Sequence, residues 1–261
     1  MNQPSSRHDS ETGITVSNLA ISFGEMPPIF SNLSMRIEPG EFVALVGASG
    51  CGKTTLMNAI AGLVPASEGD VEVNNLRPMA GRSDIAYVLA RDALLPWRTV
   101  RGNVEYALML SGFPKDERKP IALDYLQRVG LGVHTESLPA RLSHGQRQRV
   151  ALARAFAVNR SVYMLDEPFS ALDAQTKLVL HDQLLSLWEQ SRKTVIFVTH
   201  DIGEAVTLAD RVIVMGTHGR GIVDEIQVPL PRPRSASELQ ENEQYHHIYR
   251  QAWHALRKGM S

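Results

Sequence analysis

Nine residues after an apolar run set the tightest limit on what this chain can fold into. Phe42-Val-Ala-Leu-Val46 leads directly into Gly47-Ala-Ser-Gly-Cys-Gly-Lys-Thr-Thr55, and a helix-compatible segment follows. The pattern G-x-x-x-x-G-K-[ST] between a strand and a helix is that of a phosphate-holding loop. Its glycines let the backbone curl so that N–H groups face inward, and the helix begun at Thr54 adds the positive end of its dipole. Lys53 supplies a point charge for the outer phosphates and Thr54 a hydroxyl for Mg²⁺. Gly47, Ala48, Ser49, Gly50, Cys51, Gly52, Lys53, Thr54 and Thr55 are therefore the candidate loop for a nucleotide triphosphate. Cys51 has two readings there: a small space-filler, or a thiol that the helix N-terminus makes reactive.

The rest of the chain alternates strands and helices around this loop. Strand patterns occur at 14–23, 33–37, 42–46, 71–73, 85–89, 161–165, 194–199 and 211–215, and helical ones at 54–61, 174–190 and 202–208. Residues 100–158 are mostly helical in pattern. This order argues an α/β fold, a parallel sheet with helices on its faces, with a helical subdomain at about 90–158 inserted between its halves. Residues 1–13 read as a disordered tail, 228–234 as an extended Pro-Arg linker and 235–258 as a terminal helix. With 261 residues, 43% hydrophobic, a real core is affordable. A net charge of −1 provides no basic field, so no nucleic acid is expected as partner. No apolar run reaches the ~18 residues that cross a bilayer. The single cysteine rules out an internal disulfide. These bounds fit a cytoplasmic protein and leave room for one that docks onto a membrane protein.

A second chemical signal sits at Ser161-Val-Tyr-Met-Leu-Asp166-Glu167-Pro168, an apolar strand ending in two acids. The C-terminal end of a buried parallel strand is the ligand edge of such a sheet. Asp166 is suited to Mg²⁺, and Glu167 to polarising the attacking water. A helix cap followed by proline would use the same residues.

Leu142 to Ala155, "LSHGQRQRVALARA", precedes Val162 to Asp173, "VYMLDEPFSALD", and then Ile196 to Asp201, "IFVTHD". Over roughly residues 14–226 the chain resembles the ATP-binding subunit of an ABC transporter. Ala93 to Trp97, "ALLPW", and His200 to Val212 resemble the nitrate, sulfonate and taurine import branch. The resemblance implies a P-loop NTPase cassette with an N-terminal antiparallel β subdomain, a parallel-sheet core and a helical subdomain. It implies ATP and Mg²⁺ as cofactors, and a head-to-tail dimer in which each ATP lies between one copy's phosphate loop and the other's Ser143, Gly145 and Gln146. By the same resemblance Phe23 stacks on adenine, His200 contacts the γ-phosphate, Glu167, His200 and Lys53 are catalytic, and Asp173 reports between the two sites. Core packing is the other reading of Phe23 and of His200, and Asp173 also reads as the cap of the helix from 174. The implied partners are a second copy, a membrane permease and, indirectly, a solute-binding protein, at the cytoplasmic face of the inner membrane. The implied work is import of a small sulfonate-, taurine- or nitrate-like anion, driven by ATP hydrolysis. The permease groove falls at Leu94, Leu95 and Trp97, with Arg98 and Arg101 on its rim; ordinary turn packing is the other reading.

Two positions depart from the family pattern. Ala90 stands where a glutamine usually reaches Mg²⁺ and water, so hydrolysis is expected to be slow or loosely coupled. His144 stands where glycine is usual, and its Cβ crowds the phosphate unless the side chain turns away. Both keep alive a regulatory subunit with weak or no hydrolysis. A soluble ABC-type ATPase of DNA or ribosomes is a further alternative, although the tandem cassettes or long coiled-coil inserts usual there are absent. The histidines of the terminal segment, His246, His247 and His254, lack metal-ligand spacing.

Overall fold

The computed structural model describes residues 13–24, 26–89, 93–170 and 172–260. Strands β1 (Ile14–Ile21), β2 (Phe30–Ile37) and β4 (Glu68–Val73) form an antiparallel sheet in the order β2-β1-β4. Strands β3 (Phe42–Gly47), β5 (Ile85–Val88), β6 (Val162–Asp166), β7 (Thr194–Thr199), β8 (Arg211–Met215) and β9 (Ile222–Gln227) form a second sheet, ordered β5-β6-β7-β3-β8-β9. All its pairings are parallel except β8 with β9.

The parallel strands are apolar on both faces because both faces are covered. In β3, Val43 and Leu45 pack with the antiparallel sheet and helix α1 (Lys53–Ile60). Phe42, Ala44 and Val46 face the other way. On that side lie α2 (Val100–Leu110), α3 (Lys115–Arg128), α4 (His144–Ala157), α5 (Ala174–Ser191), α6 (Ile202–Leu208) and α7 (Glu243–Met260). Trp188 of α5, fully buried, meets Phe42 edge-on at a centroid distance of 5.4 Å. Burying a side chain of this kind contributes on the order of 2–3 kcal/mol.

Strand order places the site. β6, β7 and β3 are neighbours, so the three turns leaving their C-terminal ends open side by side at spacings of about 4.8 Å. The crevice outside those ends is where open α/β sheets take ligands.

Several sequence expectations shift. β1 stops at Ile21 rather than reaching Phe23, and β2 starts at Phe30, three residues before Leu33. α1 begins at Lys53, one residue early, because Gly52 supplies its left-handed N-cap at φ 99°. The terminal helix starts at Glu243; the eight residues before it make only a short 3₁₀ turn. Residues 228–234 are no free linker. Val228, Leu230 and Arg234 are buried, and the Arg234 guanidinium donates to the carbonyls of Thr207, Ala209, Val228 and Leu230. Arg232 pairs with Asp210 and lies 4.2 Å over the Trp188 ring. The segment is a strap pinned to the domain, and α7 packs on α6, β8 and β9. Ala90, with its neighbours Arg91 and Asp92, lies outside the described residues, as does the tail to residue 12.

Candidate functional site

The phosphate loop is built by close approach. A Cβ at Gly47 would stand 2.5 Å from Cys51 Sγ and 2.7 Å from the Met215 carbonyl oxygen. One at Gly52 would meet Ile29 and Phe30 at 2.8 Å, on a backbone that L-residues rarely adopt. Glycine at these two points is what lets β3 turn into α1. Lys53 is buried, and its Nζ donates to the carbonyls of Gly47 at 2.8 Å and Ala48 at 3.1 Å. The ammonium is thus held inside the loop, beside the exposed Ser49 and Gly50. Thr55, the second residue of the helix past Lys53, is half-buried. Cys51 is buried, with its sulfur against Gly47 and 3.8 Å from Lys53 Nζ. That placement is that of the space-filler.

Across the crevice, Asp166 ends β6 and is buried, with Oδ1 3.4 Å from Thr54 Oγ1. Burial pushes its carboxyl above the ordinary carboxylate range, and the charge of Glu167 adds to the rise; Thr54 and Lys53 oppose it. A hydroxyl and one carboxylate beside the loop that holds Lys53 fit Mg²⁺, which takes one or two carboxylates together with phosphate oxygens. Among the described residues no cluster of three or more His, Cys, Asp and Glu is arranged to hold a metal alone.

Glu167 adopts φ +47°, a left-handed backbone that costs a non-glycine residue about 1 kcal/mol. Its N–H is fixed by Val198 O at 2.9 Å. The cap reading of Asp166 and Glu167 does not hold: the next helix, α5, starts at Ala174 and is capped by Asp173, whose carboxylate accepts Thr176 N–H and Oγ1–H. His200, just beyond β7, is no core residue; its side chain is 56% exposed and Nδ1 lies 3.4 Å from Glu167 Oε2. Phe23, past the end of β1, is 44% exposed, which overturns its core reading too.

Ser143 caps α4 reciprocally with Gln146: its Oγ accepts Gln146 N–H at 3.2 Å, and Gln146 Oε1 accepts Ser143 N–H at 2.9 Å. None of the hydrogen bonds seen for these two residues runs to the phosphate loop. Gly145 is buried, and a Cβ there would meet Thr176 Cγ2 of α5 at 2.8 Å, so packing alone asks for glycine. His144 turns along its helix, with Nδ1 3.3 Å from Arg147 Nη2.

Asn103, fully buried, holds the turn before α2 through bonds with Leu95, Arg98 and Thr99. Leu94 packs on the core, while Trp97 stands 73% exposed, against the packing reading for the tryptophan. Arg98 stacks over Tyr106, and Arg101 pairs with Glu105 and Glu136, so neither is a free rim charge. One group of residues escaped sequence reasoning altogether: Lys177, His181 and Thr199 converge on Glu204, next to the turn that carries His200. The strand end at Thr199 was legible, but not that a helix 22 residues earlier in the chain returns a lysine to it.

A sequence family described as "ABC transporter" matches residues 30–170. The chain is 47% identical over 208 residues to an aliphatic sulfonates import ATP-binding protein of Albidiferax ferrireducens, covering 79% of this chain and 72% of the relative. An uncharacterized ABC transporter ATP-binding protein of Methanocaldococcus jannaschii is 40% identical over 230 residues, covering 87% and 86%. Among solved structures, the dimeric ATP-binding cassette MJ0796, bound to ADP and Pi in a post-hydrolysis state, superposes with a TM-score of 0.73 at 32% identity, over 84% of this chain and all of that one.

Proposed function

The chain belongs to the ABC transporter ATP-binding family, and from that premise we propose that it hydrolyses ATP as one half of a head-to-tail pair that drives import of a small anion. The observation that carries the reading is the meeting of three strand ends: Lys53 and Thr54 after β3, Asp166 and Glu167 after β6, and His200 after β7.

Each side chain then has a separate task. The loop 47–55 offers its N–H groups to the phosphates, and Lys53 exchanges its two loop carbonyls for outer phosphate oxygens. Thr54 and Asp166 hold Mg²⁺, which neutralises charge on the phosphates when bound. Glu167 and His200 share the space where an attacking water would sit, the carboxylate accepting its proton and the imidazole orienting toward the γ-phosphate. Phe23 offers an exposed ring to adenine. Ser143, exposed, and Gln146, half-buried, stand at the start of α4 with Gly145 packed between them and α5, and there a second copy's phosphates meet a helix N-terminus. Asp173, at the start of α5, faces the same interface. ATP therefore favours the closed pair, and hydrolysis returns it to the open one.

The relative that imports aliphatic sulfonates supports an anion of that class. The exposed Trp97, on a turn locked by Asn103, supports docking of a permease at that point, with a solute-binding protein beyond it. No helix among the described residues is long and apolar enough to cross a membrane. Work at the inner membrane's cytoplasmic face then proceeds through the permease.

A regulatory subunit without turnover is the second reading, favoured by Ala90. The turn of His144 along its own helix toward Arg147 supports room for a phosphate at this point. The test is phosphate release from ATP by the purified chain, together with affinity purification from membranes. Phosphate release and a co-purifying permease support the proposal; ATP binding without release supports the regulatory reading; neither binding nor a permease overturns both.

A further inference from the structure

Both neighbours of His200 are tied to one buried carboxylate. Thr199 Oγ1 donates to Glu204 Oε2 at 2.7 Å and itself accepts Asp201 N–H at 3.0 Å. The other carboxylate oxygen of Glu204 lies 2.8 Å from Lys177 Nζ, and that ammonium is 3.5 Å from Asp201 Oδ2. Asp201 in turn caps α6 through the N–H groups of Gly203 and Glu204. The turn 199–201 is therefore gripped at Thr199 by the Glu204 carboxylate, at Asp201 Oδ2 by the Lys177 ammonium, and at Asp201 Oδ1 by the backbone N–H groups that begin α6.

Glu204 is a costly group to place here. It is 3% exposed, and burial alone opposes its charge. Contacts with His181, Lys177 and Thr199 overcome that and hold its carboxyl down to about 2. His181 closes the far side, with Nε2 3.8 Å from Glu204, too long for a hydrogen bond, and its ring edge-on to Phe169 at 5.3 Å. Phe169 follows Glu167 by two residues. The cluster thus lies beneath both turns that carry the water-facing groups.

His200 itself has little to aim it. Its side chain is more than half exposed, and among the described residues the ion-pair contact seen for it is Glu167 at 3.4 Å. Its direction must come from the backbone of its turn. Lys177 connects that turn to α5: it stands one helical turn past Asp173, and its N–H bonds the Asp173 carbonyl at 3.0 Å.

We propose that Glu204, together with Lys177, is a positioning residue for His200, and that Lys177 carries shifts of the Asp173 turn into the histidine's orientation. This rests on the ATPase reading above. Glu204 touches no nucleotide; it acts only through the turn that it holds.

The test is single-turnover and steady-state phosphate release by the full chain carrying Glu204→Gln, Lys177→Met or both, each with His200 intact and with His200→Ala. Glu204→Gln is expected to lower kcat at least ~10-fold, as small misplacements of reacting groups do, with KM for ATP nearly unchanged. Lys177→Met is expected to fall in the same direction, and the double variant to be no worse than the poorer single. In the His200→Ala background all three are expected to be silent. Losses of equal size with and without His200, or losses confined to KM, overturn the proposal. Should Glu204→Gln not fold, Lys177→Met, whose ammonium is partly solvated, decides alone by the same comparison. A wild-type chain that binds ATP but releases no phosphate overturns the ATPase reading and this inference with it; a wild-type chain that turns over, with additive variants, overturns the inference only.

Discussion

His200 Nδ1 stands 3.4 Å from Glu167 Oε2, a contact between the turn after β7 and the turn after β6. The two strands are neighbours in the sheet, and the left-handed backbone at Glu167 swings its carboxylate toward the histidine. A carboxylate and an imidazole are thereby brought into direct contact at the strand ends that open beside the phosphate loop.

Phe23 leaves β1 with nearly half its surface in solvent, although aromatic rings of that size are costly to expose. If adenine covers it, Phe23→Ala weakens ATP binding roughly tenfold, the scale of one base–aromatic stack. Inorganic triphosphate, which has no base, binds as before. Titration calorimetry with both ligands decides; equal losses for both would remove Phe23 from the adenine site.

Ala90 has no hydrogen-bonding side chain, and the resemblance to the family implies a glutamine at this position. Ala90→Gln is expected to raise phosphate release, most clearly when the chain is assembled with its permease and solute is present. An unchanged or lower rate counts against slow turnover arising at this position.

Glu204 makes stability depend on pH with a definite sign. Its folded-state value, about 2, lies below the ordinary 4.5, so its pairing contributes fully above 4.5 and is lost as pH falls toward 2. The shift corresponds to on the order of 3 kcal/mol. Urea unfolding of wild type and Glu204→Gln should show a gap at pH 7 that narrows steadily below pH 4.5. A gap independent of pH would mean that the carboxylate's charge does not matter to the fold.

Arg234 is buried among four backbone carbonyls, and burial lowers its guanidinium only to about 10, so it is charged at neutral pH. Arg234→Ala leaves those carbonyls without their donor and destabilises by about 3 kcal/mol. In a chain of this size that lowers Tm by roughly 6–12 °C. Scanning calorimetry measures it, and ATP affinity at 25 °C should not move.

The bounds of β7, α6 and β8 match the sequence expectation residue for residue, for physical reasons that lie within the segments themselves. Each strand is a continuous apolar run, and Asp201 caps the helix between them with its own side chain. The phosphate loop and the acids of β6 were legible for the same reason: their chemistry is local. Strand β9 was not, because Ile222-Val-Asp-Glu-Ile-Gln227 is an edge strand in which only Ile226 is buried, and neither alternation nor composition marks it. The strap at 228–234 reads as a linker from its prolines, since the carbonyls that receive Arg234 include two some 25 residues earlier. Gly145 shows the reverse: the family pattern marks it for phosphate, whereas the fold already requires it for contact with Thr176. The tie between Lys177 and Glu204 spans two helices and a strand, so no local pattern could announce it.

The central claim is that two copies close on ATP and part when it is cleaved. Sedimentation velocity of Glu167→Gln with saturating Mg-ATP, with the nucleotide content of the sedimenting species measured in parallel, tests it most directly. A dimer that retains intact ATP and returns to monomers when the nucleotide is removed is the result expected. A strictly monomeric, nucleotide-free protein under those conditions would contradict the account.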